Sequence, residues 1–162
     1  MNNSAYSYWV IWLTLFVGLL LQVMPWTASF YFLKPHWLML ILVSWIFVLP
    51  HRVGIGTAFL VGIILDLFLG TVLGVHAFIF SLIAYLVLSR FQLVRNLALW
   101  QQSFIIFGLS LIYDLLLFIF EIAIYQMITL SPLVFLSAFI DAFIWIWVFL
   151  LLQQIRQIFA ID

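Results

Sequence analysis

The chain has 162 residues, 69% of them hydrophobic and 6% charged, with five basic side chains against five acidic ones and no cysteine. A soluble domain needs far more charge to cover its surface, so the composition excludes a water-soluble fold and points to one integral membrane domain. Zero net charge without a basic run gives nucleic acid nothing to bind, and a cysteine-free chain has no disulfide, thiolate metal site or cysteine nucleophile.

The mean hydropathy of +1.38 is spread over six apolar stretches. The N-terminal stretch has no basic n-region beyond the amine, and no small-residue cleavage site follows it. It is expected to be a first transmembrane helix, over 8–24, ended by Pro25. "PWTASFYFLKP" then reads as an interfacial connection, with Trp26 and Tyr31 at headgroup depth and Lys34 snorkelling. A second helix over 36–49 lies between Pro35 and Pro50, and at about 1.5 Å per residue it spans only about 21 Å. Its ends must therefore lean on thinned bilayer or on neighbours. A third helix over 54–71 and a fourth over 75–89 flank a tight turn at Gly74. "RFQLVRNLALWQQ" is a polar connector whose Phe91, Leu93, Val94 and Leu97 suggest a helical piece lying in the interface. A fifth helix over 103–125 and a sixth over 133–152 follow, and the tail can continue along the membrane surface. The expected fold is an all-α bundle of six transmembrane helices. With both termini cytoplasmic, Arg52, Arg90, Arg95 and Arg156 become cytoplasmic anchors and only Lys34 falls outside.

The acids break this apolar pattern. Asp66, Asp114, Glu121 and Asp141 all fall within helices, and each costs about 2.5–3.5 kcal/mol on insertion scales if it sits at mid-membrane. Asp66 lies about 21 Å from the level of Arg52, and Asp114 and Glu121 share one helix face. No intrahelical Lys or Arg can neutralise them. They must be protonated, bonded to hydroxyls and backbone, reached by water, or matched by a partner protein. Ser110, Ser137, Tyr113 and Tyr125 are available donors, so structural bonds between helices compete with a functional role for Asp114, Glu121 and Asp141. Asp66 is set in a stripe of small residues at every fourth position, with Gly54, Ala58, Gly62, Gly70 and Gly74. Such a stripe lets another helix approach closely, so a functional or assembly role is favoured for Asp66.

Catalytic sets are missing. His36, His51 and His76 all fall near helix ends and read as interfacial polar residues, which leaves no Ser–His pair at mid-depth. H-E-x-x-H is absent, and scattered histidines make no metal site. Lipid-diphosphate chemistry wants several cations converging with acids, which one outer Lys cannot supply. The expectation is a non-enzymatic binding or scaffold role without a cofactor.

"LPHRVGIGTAFLVGIILDLFLGTVLGVHAF", "VMPW", "RNLALWQQ" and "FIWIWVFLLLQQIR" together resemble the rod-shape-determining membrane protein family MreD, in its gammaproteobacterial form, over nearly the whole chain. The resemblance implies a place in the bacterial inner membrane, within the elongasome that builds lateral peptidoglycan. It implies binding to MreC, which has one transmembrane helix and a periplasmic domain. It also implies work beside MreB, RodA and RodA's penicillin-binding transpeptidase partner. Carried over by residue, it points to Gly56, Gly62, Asp66, Gly70, Gly74 and His76. The family is also similar in fold to the substrate-binding S-components of energy-coupling-factor transporters, which makes solute uptake the alternative reading.

Overall fold

The computed structural model describes residues 3–25, 33–126 and 134–158. Within them the chain forms seven helices: α1 Asn3–Val23, α2 Trp37–Val48, α3 Ile55–Leu69, α4 Val75–Ser89, α5 Phe91–Arg95, α6 Leu99–Tyr125 and α7 Val134–Ile158. Most of the interfacial connection expected over 25–35, including Trp26 and Tyr31, lies outside the described residues, as do residues 127–133.

The helices pair as antiparallel hairpins. Thr14 of α1 meets Trp45 of α2, α3 packs closely on α4, and α6 packs on α7. Ser110 reaches Asp141 while Asp114 receives Ser137, a register that only antiparallel α6 and α7 allow. The six longer helices therefore alternate in direction, and this order gathers Arg52, Arg90, Arg95 and Arg156 at one end of the bundle. At that end the Arg52 guanidinium lies 5.4 Å from the Tyr8 ring.

The short helix α2 is the centre. Ten of its twelve residues, from Leu38 to Phe47, are buried. A helix that is apolar all round is stable only when enclosed on every side, and α1, α4 and α7 enclose this one. The outer faces of the surrounding helices are equally apolar. Trp9, Leu13, Phe16 and Leu20 line α1, and Phe139, Phe143, Trp147 and Leu151 line α7. Water would not tolerate that surface, whereas lipid would. α6 and α7 are each long and apolar enough to cross a bilayer, while the apolar stretches of α1 to α4 are shorter.

The helix limits differ from the sequence reading where caps decide them. α6 starts at Leu99 rather than 103 because the Gln101 side chain accepts the Ala98 N–H at 3.1 Å, closing the first turn early. The polar connector is reduced to the five-residue α5. α7 runs on to Ile158, so the start of the tail is a continuation of the helix. α3 stops at Leu69 because Gly70 adopts the left-handed conformation (φ 65°) and returns its N–H to the Asp66 carbonyl.

Candidate functional site

Two buried carboxylate–imidazole pairs form one polar layer inside the bundle. The first closes the α3–α4 hairpin. Asp66 lies in the last turn of α3 and is fully buried. Its Oδ1 meets His76 Nδ1 at 2.6 Å and accepts the His76 N–H at 3.2 Å and the Thr71 hydroxyl at 2.9 Å. Its Oδ2 accepts the Gly74 N–H at 2.9 Å. Gly74 can present that N–H because it adopts a positive φ of 103°. The carboxylate thus takes up donors that the chain reversal would otherwise bury unpaired.

The hairpin is tight because Gly62 has no side chain. A Cβ there would lie 2.3 Å from the Ala77 Cα. Ala58 is also buried. A Cβ at Gly54, Gly56, Gly70 or Gly74 would meet nothing within 4 Å. The small-residue stripe therefore divides by position. Its middle, Ala58 to Asp66, is enclosed within the chain, and its ends belong to turns.

The second pair ties three helices together. His36 stands just before α2, and its backbone N–H is donated to Asp141 Oδ1 at 2.9 Å. Its Nδ1 meets Asp141 Oδ2 at 2.6 Å, and its Nε2 faces Asp114 Oδ1 at 3.2 Å. The Ser110 hydroxyl donates to Asp141 Oδ2, and the Ser137 hydroxyl donates to Asp114 Oδ2 at 3.1 Å. The buried ring of Tyr113 joins the two pairs, with its centroid 4.4 Å from that of His36 and 6.2 Å from that of His76.

His36 and His76 are therefore not interfacial, as their positions near helix ends suggested. Both are buried and matched to acids, and only His51 is exposed, beside Arg52. The physical reason is helix length. α2 has twelve residues, about 18 Å, so its first turn begins inside the bundle instead of at a membrane surface. His76 likewise follows a turn that sits at the level of Tyr113. The sequence carried the signal for His36, since a helix too short to reach both faces must start within the protein, where a histidine needs acids.

The cluster brings Ser110 to 3.2 Å from His36 Nδ1, with Asp141 beyond, but it is not arranged as a nucleophilic triad. One nitrogen serves both serine and aspartate, the hydroxyl proton is directed at Asp141, and Nε2 is occupied by Asp114. No group of three or more His, Cys, Asp or Glu among the described residues could hold a metal ion. Here the imidazole meets its two carboxylates through opposite nitrogens, so the three share no common point. Glu121 is exposed, two turns beyond Asp114 on α6. Arg90 and Arg95 are exposed, and Arg95 lies 5.9 Å from the Phe91 ring.

The family model for the rod shape-determining protein MreD matches residues 4–155. The chain belongs to the MreD family. It is 38% identical over 150 residues to the rod shape-determining protein MreD of Haemophilus influenzae, covering 92% of each chain. No solved structure matches. Family membership assigns the chain to cell-shape determination, to the rod-shape complex and to the membrane. The family is one of shape-determining proteins and is not a known enzyme family.

Proposed function

We propose that this chain is a multi-pass inner-membrane scaffold of the elongasome, with both termini cytoplasmic, that binds MreC and supports lateral peptidoglycan synthesis. On this reading RodA, its transpeptidase partner and MreB are reached through that complex. The observation that carries the proposal is where the bundle uses its polar groups. Asp66, Asp114 and Asp141 are bonded to histidines, serines and backbone of the same chain, so partners are left to the apolar helix faces. Asp66 acts by shaping the α3–α4 turn, which carries exposed Leu67, Phe68, Val72 and Leu73. It is a positioning residue for that surface, and so are Gly62 and His76.

The test is photo-crosslinking in growing cells, with the reactive amino acid placed at Leu67 and Leu73 on the turn and at Phe143 and Trp147 on α7. A product containing MreC from at least one face supports the proposal. No protein product from any of the four, in cells that remain rods, would sink it. The uptake reading draws on the polar layer beside Tyr113 and predicts tight, saturable binding of a small solute by the purified protein.

A further inference from the structure

We propose that the contact of His36 with Asp114 and Asp141 is a proton-operated clasp, closed when the cluster holds two dissociable protons and opened at Asp114 when it loses one. The proposal rests on a count of donors and does not depend on what the bundle binds. Four carboxylate oxygens face five donor groups: the His36 backbone N–H, its two ring nitrogens, and the hydroxyls of Ser110 and Ser137. Both ring nitrogens point at carboxylate oxygens, and a neutral imidazole has only one N–H. With one ring proton, a bare nitrogen lone pair faces an oxygen lone pair unless that carboxyl group holds the missing proton. Either way the arrangement needs the second proton, on the ring or shared with a carboxylate. Removing it turns one attractive contact into a repulsive one.

The geometry also says which contact yields. Asp141 is fully buried and keeps two other donors, the His36 N–H and Ser110. Asp114 sits at the longer contact, 3.2 Å, and its side chain and that of His36 are 12% and 11% exposed. Loss of the proton therefore separates His36 from Asp114 and loosens the start of α2 from α6, where Ser110 and the Tyr113 ring still touch His36, while α7 stays attached through Asp141. The other charged or titratable groups around the clasp are few, and the nearest is the phenol of Tyr113 on α6, whose ring centroid lies 4.4 Å from that of His36 and which Asp114→Asn leaves in place. Lys34 lies two residues before His36, and its partial burial lowers its pKa. Glu121 lies further along α6. α4 presents His76, already bonded to Asp66 of α3. α1 packs on α2 through Thr14, which does not titrate.

The experiment uses the full-length protein in lipid nanodiscs. Nitrogen-15 histidine spectra, assigned by single His→Gln variants, report the protons on each ring, and thermal unfolding is followed from about pH 7 to about pH 10. In wild type, the His36 ring or its hydrogen-bonded carboxyl partner carries the extra proton at about pH 7. The unfolding midpoint then falls by about 5 °C or more as the pH rises. Asp114→Asn accommodates a neutral ring, because its carboxamide can accept from Nε2–H or donate to bare Nε2, so its midpoint falls by less than half as much. Parallel decline of wild type and Asp114→Asn overturns the clasp. Should Asp114→Asn fail to fold, the wild-type spectra decide. A ring with one proton at about pH 7, and no proton shared with either carboxylate, also overturns it.

Discussion

Gly62→Ala is the sharpest test of how the hairpin is built. The added Cβ would lie 2.3 Å from the Ala77 Cα, 2.5 Å from the Ala77 nitrogen and 2.8 Å from the His76 carbonyl carbon. Carbon atoms rest at about 3.5–4.0 Å, so the α4 backbone must retreat by more than about 1 Å. The same displacement pulls on the 2.6 Å contact between His76 and Asp66 one turn away. Overpacking of this kind costs about 1–3 kcal/mol, against which alanine returns about 0.5–1 kcal/mol of helix propensity. Gly108→Ala is the matched control, since a Cβ there meets nothing within 4 Å and only the propensity gain remains. Thermal unfolding of both variants in nanodiscs is expected to move in opposite directions, with Gly62→Ala lower by several degrees. Ala77→Gly should not rescue Gly62→Ala, because the clash is with backbone. Equal midpoints for the two alanine variants would falsify the close approach of α3 and α4.

Other outcomes follow from the same contacts. Asp66→Leu leaves the Gly74 and His76 N–H groups and the Thr71 hydroxyl without their acceptor and should cost about 3 kcal/mol or more; Asp66→Asn keeps one acceptor oxygen and should be milder, as read by unfolding and by MreC co-purification. Thr14→Val strands the Trp45 indole N–H, now bonded to the Thr14 hydroxyl at 2.8 Å. A cycle with Trp45→Phe should give a coupling of about 0.6–1.7 kcal/mol, and a coupling of zero would show that this bond does not hold α1 to α2. The chain has no cysteine, so a single cysteine at the exposed Asn96 can be labelled alone. It should react from the cytoplasm only, and reaction from outside would reverse the proposed topology.

Much of this was legible in the sequence. The six apolar stretches set the longer helices, and the limits of α4 coincide with those read from Gly74 and Ser89. The cost of Asp66, Asp114 and Asp141 in hydrocarbon marked them as needing partners, and two of the partners, Ser110 and Ser137, were readable as donors. His36 and His76 are not, because nearness to a helix end usually means nearness to water, and here it does not. That relation holds for a helix of full length such as α6. It fails for α2 and for the α3–α4 hairpin, whose upper ends stop inside the protein. The glycine stripe misled in a related way: a spacing of four is the same whether glycine relieves a close approach, as at Gly62, or permits a turn, as at Gly70 and Gly74.

The enclosure of α2 has a consequence for biosynthesis. His36 is joined to Asp141 across 105 residues of chain, and at about 5–20 residues per second a ribosome needs about 5–20 s to make them. Through that interval the start of α2 lacks Asp141, and Asp114 of α6 arrives before it with a matching need. Assembly of the bundle therefore ends, rather than begins, with its second helix. A chain that stops before Asp141 leaves the His36 imidazole and backbone N–H without that carboxylate.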